Sequence, residues 1–286
     1  MVFPLPSYGE ESLNLFDVSC SIDWVRGELI AQANYDLVQA GIRLLTGRFL
    51  AEETLREAYP QLLRPYLLSI RVDSNSTIEK LVEQGELSLE DLDNLCREAG
   101  VITPNLSSDL RRMTGLFTLP TGKIGALLAR QSRPMAPSSP LIPVQTADYT
   151  GIIIIADREL PIRGRRAEAL VEPCLFPKIW DTNMNLIYDK AMVERSRQEN
   201  NLMIRYAASE SIFRPTPSGL EGELAGLVGP NPLRIIAREV FGIFPTDTVI
   251  DRQDALKILS SENNRRLLLE GRVIFVLNER MLKTAL

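Results

Sequence analysis

Five aspartates, Asp148, Asp157, Asp181, Asp247 and Asp251, fall beside the ends of expected strands. Carboxylates gathered at strand ends can hold Mg2+ or Ca2+, which take oxygen ligands. No Asp-x-Asp-x-Asp loop and no acidic pair at fixed spacing accompanies them, so each reads first as a helix cap or a turn residue. Thr121-Gly-Lys-Ile-Gly125 holds a Gly-Lys pair without the spacing that cradles phosphate, and reads as a strand-to-helix turn. The stretch from Tyr206 to Ser211 offers hydroxyls but no base within sequence reach. There is no histidine anywhere. That removes the commonest general base and metal ligand, and with them Ser-His-Asp and Cys-His catalysis. Cys20, Cys96 and Cys174 are far apart and form no Cys-x-x-Cys pair; zinc would need all three and a fourth ligand. They read as small buried residues. An odd count leaves at least one thiol free or paired with another chain. The expectation is a chain with no catalytic residues, no metal and no cofactor.

One basic cluster stands out. Arg163, Arg165 and Arg166 surround Gly164 and can meet an acidic partner or a phosphate, or simply be solvated. The overall balance is acidic, with a formal net charge of −5. Nucleic-acid binding needs a concentrated basic surface, so no nucleic-acid partner is expected, and docking on an anionic membrane is disfavoured for the same reason. No apolar run approaches the ~18 residues of a membrane span. Met1-Val2-Phe3-Pro4-Leu5-Pro6 has no basic n-region and no apolar core. The chain therefore reads either as cytoplasmic or as an exported protein whose signal peptide has been removed.

The elements that must position these residues fall into two blocks. At 286 residues the chain has room for about two domains. Its 45% hydrophobic and 24% charged content is that of a packed globular protein. Residues 131–143 contain Pro134, Pro137, Pro140 and Pro143 with three serines. Proline removes backbone donors and extends its neighbours, so the chain divides into residues 1–131, a linker at 132–146 and residues 147–286. In the first block, residues 12–24 alternate as a strand. Leu29, Ala33, Leu37, Ala40, Ile42 and Leu44 recur at roughly helical spacing, so residues 29–45 read as a helix. Residues 51–68 continue as helix, bent or broken at Pro60 and Pro65. Residues 70–72 form a short strand and residues 73–77 a turn. Ser88-Leu-Glu-Asp91 has the form of a capping box. A strand at 116–119 and a helix from Thr121 follow. In the second block, Ile152-Ile-Ile-Ile155 reads as a strand buried on both faces. Further strands are expected at 174–180, 186–188, 202–207, 233–240 and 271–277, with helices capped by Asp189 and Asp251. The fold class is α+β: two small mixed-sheet domains, each with helices packed on a sheet.

Two sets of motifs carry a family resemblance. Ile22-Asp-Trp24, Leu67-Leu-Ser-Ile-Arg-Val-Asp-Ser-Asn-Ser-Thr-Ile-Glu79 and Phe117-Thr-Leu-Pro-Thr-Gly122 resemble the family of FlgP and the twenty-kilodalton surface lipoprotein, and the N-terminal domain of FlgT. Tyr149-Thr-Gly-Ile-Ile-Ile-Ile155, Phe176-Pro-Lys-Ile-Trp-Asp181, Asn231-Pro-Leu233, Thr246-Asp-Thr-Val-Ile-Asp251 and Arg272-Val-Ile-Phe-Val276 resemble the C-terminal extension of its longer members. The sequence departs from the pattern where Ala156-Asp157 replaces Asp-Ala, and at Asp157-Arg-Glu-Leu160. The resemblance makes residues 1–131 a FlgP-like domain and implies no catalytic residues. It also implies export to the periplasm or the outer membrane, and assembly with itself or with envelope partners, as in a ring, disk or collar of the flagellar motor. An adaptor for another envelope or signalling complex, or a carboxylate-based enzyme, are the alternatives. Self-association would use strand edges. Leu13, Leu15 and Val18, and the strand ending at Tyr206, are the expected exposed edges.

Overall fold

The structure, a computed structural model, describes residues 14–128, 134–193, 204–209 and 222–286. The chain is a two-domain α+β protein.

The first sheet is built from β1 (Phe16–Asp23), β2 (Glu28–Asp36), β3 (Gly100–Leu106) and β4 (Arg112–Pro120), joined at its edge by β15 (Lys283–Ala285) from the far end of the sequence, in the order β15-β1-β2-β4-β3. Every pairing is antiparallel. β2 occupies the region read as a helix. Leu29, Ala31, Ala33 and Tyr35 are buried, and the residues between them are not. That is the two-residue period of a half-buried strand. β4 alternates in the same way, burying Met113, Phe117 and Leu119.

The buried face is covered by α1 (Leu44–Ser69). This helix runs through Pro60 and Pro65 without ending. A proline inside a helix costs about 3 kcal/mol. Burial of Leu55, Leu63 and Leu67, at ~1.5–3 kcal/mol each, together with a Tyr59–Phe117 ring stack at 3.6 Å, offsets it. Two short helices follow, α2 (Ile78–Glu83) and α3 (Leu89–Arg97). α3 starts at the expected capping box: Ser88 Oγ accepts from Asp91 N, and Asp91 accepts from Ser88 N. α4 (Thr121–Leu128) closes the domain.

Residues 134–150 carry neither helix nor strand and are mostly exposed. They are nonetheless tied to the second domain. Val144 N donates to Ser260 Oγ, Tyr149 N to Asn264 Oδ1, and Met135 N to the carbonyl of Ala191.

The second domain centres on a parallel sheet, β10-β14-β5-β11, made of β5 (Ile152–Ala156), β10 (Arg205–Ala208), β11 (Leu233–Ile236) and β14 (Val273–Leu277). All five residues of β14 are buried, and the isoleucine run of β5 is buried on both faces as expected. One face packs under α6 (Arg252–Leu259) and α7 (Glu262–Leu269), through Ile258 and Leu268 among others; the other packs under α5 (Gly222–Val228). A second sheet has the order β12-β13-β8-β9, with β8 (Ile179–Asp181), β9 (Leu186–Tyr188), β12 (Glu239–Phe241) and β13 (Asp247–Ile250). Strand geometry begins only at Ile179, five residues later than expected, and the expected strand at 233–240 divides into β11 and β12. A hairpin of β6 (Leu160–Pro161) and β7 (Glu168–Ala169), and a last helical turn α8 (Glu279–Leu282) before β15, complete the described residues. Asp189 caps a single 3-10 turn, Lys190–Met192, after which Val193 is extended; the rest of the helix expected there lies outside the described residues.

A candidate functional site at the domain junction

The turn after α1 projects into the second domain. Val72 N and Asp73 N donate to the carbonyl of Ser76, and Asn75 N to Asp73 Oδ1, so the turn holds its own shape. The second domain then grips it through the backbone. Ile243 N and Phe244 N both donate to the carbonyl of Ser74, while Leu175 N and Phe176 N donate to the carbonyls of Arg71 and Val72. Gly242 makes the closest approach. Its φ is +123°, and a Cβ there would lie 2.5 Å from Ser74 Cβ and 2.4 Å from the carbonyl oxygen of Phe244. Only glycine tolerates both the dihedral and the contact.

At the centre of this junction sits Asp247, fully buried at the start of β13. Its Oδ2 accepts from Ser74 Oγ at 2.9 Å and from Trp180 Nε1 at 3.0 Å. Its Oδ1 accepts from Lys178 N at 3.2 Å and from Thr246 Oγ1 at 3.3 Å. Burial raises its pKa above the ordinary carboxylate value, and these hydrogen bonds pull the other way. A carboxylate bound on both oxygens by donors from both domains is suited to fixing their relative position. At the rim, Arg71 Nη1 lies 2.6 Å from Glu172 Oε2, and the same guanidinium sits over the Phe244 ring at 5.2 Å. Trp24 adds a second seam, donating to Thr284 Oγ1 and meeting Tyr206 edge-to-face at 5.8 Å.

The other strand-end carboxylates do not converge with Asp247. Asp181 accepts from Asn183 N, Asn185 N and Asn185 Nδ2 and shapes its own turn. Asp251 caps α6 by accepting from Gln253 N, and Asp254 pairs with Lys257. Asp148 accepts from Ser261 Oγ and Asn263 Nδ2 at the start of α7, and these bonds hold its pKa low. Asp157 has a partner that its sequence position did not suggest, the Ser209 hydroxyl. The two residues follow β5 and β10, and Asn278, which follows β14, donates to the Asp157 carbonyl. Among the described residues, no group of three or more Cys, Asp or Glu could hold a metal ion.

All three thiols are buried and free. Burial pushes Cys20 and Cys96 up to about 12 and raises Cys174 as well, so none is a thiolate near neutral pH. Arg163 turns inward, with Nη1 2.7 Å from Glu239 Oε2 and Nη2 donating to the carbonyl of Thr182. Arg165 and Arg166 remain exposed at the Gly164 turn. Leu13 lies outside the described residues. Leu15 and Val18 are half-buried against the core, and the carbonyl of Val18 accepts from the Tyr66 hydroxyl.

Sequence reasoning missed Ser74, Gly242 and the part played by Asp247. The one available signal was a charge inside the β-branched run Thr246-Asp-Thr-Val-Ile250.

Residues 16–127 match the family model described as Treponema pallidum Tp0624, N-terminal domain, and residues 151–279 match the one described as Treponema pallidum Tp0624, second domain. Neither match names FlgP or FlgT. No curated protein matches the chain.

Proposed function

We propose that this chain, which carries in sequence the N-terminal and the second domain of the Treponema pallidum Tp0624 family, is a non-catalytic assembly protein of the bacterial cell envelope that works by binding itself or other proteins. The observation that supports this most is Asp247. It is the most buried carboxylate of the described residues; Oδ2 accepts from Ser74 of the first domain, while Trp180 and Lys178 N hold its two oxygens from the second. A joint fixed in this way suits a building block that presents surfaces at a constant angle. The absence of histidine and the raised pKa of every thiol leave few groups for general-base or nucleophilic work. The motif resemblance to the FlgP family supports the finer reading: an exported component of a ring, disk or collar of the periplasmic flagellar motor.

A second reading follows from Asp157 and Ser209. Ligands of parallel sheets bind beyond the carboxyl ends of the strands, and a carboxylate-based enzyme would use this pair. Cell fractionation and tagged-protein microscopy, combined with motility of a deletion strain, test the first reading. It expects the protein in the envelope and an altered motor. A cytoplasmic protein would overturn the envelope role, and normal motility with an intact motor would overturn the flagellar one. An Asp157→Asn variant that assembles normally yet loses the deletion-complementing activity would favour the enzyme.

A further inference from the structure

Open strand edges invite pairing with another chain, and folded proteins usually blunt them with proline, lysine, bulges, short length or a covering element. Most edges here are blunted or covered. β10, the other edge of the parallel sheet and one expected to be exposed, has the Trp24 ring against Tyr206 and α8 packed beside it. β3 contains Pro104 and shifts register between Ile102 and Asn105. β15 is three residues long and begins with Lys283. The part of β1 beyond β15 has its Val18 carbonyl taken by Tyr66. β12 is bridged by Ile162, and Arg163 N donates to the carbonyl of Val240. β9 is three residues long.

β11 differs. It pairs only with β5, in parallel, and Leu233 N and Ala237 N donate to the carbonyls of Gly151 and Ile155. In a parallel ladder this alternation turns the N–H and C=O of Leu233 and Ile235 toward β5, and those of Arg234 and Ile236 away from it. No described residue bonds the outward groups of Arg234 or Ile236. The strand has no bulge, no proline and no lysine between Leu233 and Ile236. Ile236 is 54% exposed at this edge, beside the half-buried Ile155.

We propose that β11 is a homotypic docking edge: a second copy of this chain pairs its own β11 antiparallel with the first across a two-fold axis, joining the two parallel sheets into one. The edge is self-complementary. With Ile235 on the axis, Arg234 of each copy lies opposite Ile236 of the other. The two outward N–H groups and two outward carbonyls of each copy then all find partners. The exposed Ile236 packs against the aliphatic stem of the opposing Arg234, which keeps its charged head in water. A parallel arrangement of the two strands has no such two-fold axis, so it could not form a closed dimer. This inference rests on the assembly reading above and specifies one contact for it.

Sedimentation of the purified full chain over a concentration series tests it. The unmodified chain is expected to show a monomer–dimer equilibrium. Ile236→Pro removes only an outward N–H and leaves the β5 ladder intact, so it should weaken dimerisation at least tenfold with an unchanged circular dichroism spectrum. Ile236→Lys, which keeps the N–H and adds two like charges to the interface, guards against a folding defect in the proline variant and should weaken it as well. Register is read by oxidising a mixture of Arg234→Cys and Ile236→Cys chains. Directly paired residues lie ~5.5 Å apart at Cα, within disulfide reach, so the mixed pair should cross-link faster than either variant alone. A chain that stays monomeric, or folded Ile236→Pro and Ile236→Lys chains that dimerise like the parent, would overturn the docking edge. Dimers that persist without the mixed cross-link would overturn it too, while leaving self-assembly through another surface standing. The envelope reading is judged separately, by fractionation.

Discussion

The two principal sheets bury themselves in different ways. The antiparallel sheet of the first domain carries α1 on one face and leaves the other to solvent, where Asn34 Oδ1 accepts from Gln32 Nε2 and Thr114 Oγ1. The parallel sheet of the second domain is covered on both faces, so β14 holds no polar side chain at all. A one-sided sheet needs alternation and can display chemistry on its outer face; a two-sided sheet can display it only at strand ends and edges. This is why the polar residues of the second domain collect at Asp157, Ser209 and Asn278 and at the junction, and why its edge strand β11 matters more than its faces.

If the two domains behave as one unit, the junction should couple them, and the largest effect should come from its centre. Asp247→Ala strips the acceptor from Ser74, Trp180 and Lys178 N. It is expected to cost about 3–5 kcal/mol and to split one calorimetric transition into two; a loss below about 1 kcal/mol with a single transition would show that the domains are coupled elsewhere. The charge of Asp247 gives a pH signature. Its folded pKa is raised, so the folded chain holds this proton more tightly than the unfolded one. Its contribution to stability should therefore fall as pH rises from the ordinary value of 3.8 through the higher folded value, then level off. The stability difference between parent and Asp247→Asn, followed across that range in urea, should slope downward. An upward slope, the usual behaviour of a paired surface carboxylate, would contradict the burial argument.

Gly242→Ala tests the same contact through sterics. Strain at φ +123° costs about 1–3 kcal/mol, and the close approach to Ser74 adds to it, so thermal unfolding should show a loss of about 3 kcal/mol. The first domain supplies the contrast with Ser88→Ala. Loss of that helix cap should cost about 1 kcal/mol, and amide exchange should speed up in α3 while the second domain keeps its protection. Equal loosening of both domains would mean that the junction transmits even local damage. The smallest effect is expected at the partly exposed rim, where Arg71→Ala should cost about 1 kcal/mol or less in chemical denaturation.

The same contrast explains what the sequence made legible. The strands of the parallel sheet were readable because Ile152–Ile155 and Val273–Leu277 are unbroken aliphatic runs too short for helices. β2 was not readable from Leu29, Ala33 and Leu37, because a spacing of four fits two strand periods as well as one helical turn; Ala31 and Tyr35 decide the matter, and both are weaker signals. α1 was cut by its prolines in sequence, whereas tertiary burial carries it through them. Capping residues at Ser88 and Asp251 were legible because their partners lie two or three residues away. The junction was not: Ser74 and Asp247 are 173 residues apart, and no local pattern links a turn serine to a charge in a distant strand.

One pairing sets the order in which the molecule can be made. β1 is near the start of the sequence and its neighbour β15 near the far end, and Trp24 and Thr284, joined by a hydrogen bond, are 260 residues apart. A ribosome delivers β1 long before β15. Among the described residues, the flank of β1 that β15 covers, and the Trp24 indole N–H that Thr284 accepts from, have no partner until the second domain has been synthesised. Contacts of such sequence separation form slowly, and a bare strand flank is prone to wrong pairings during that wait. The arrival of β15 thus works as a completion signal for folding: the first sheet is finished only in chains whose second domain has already emerged.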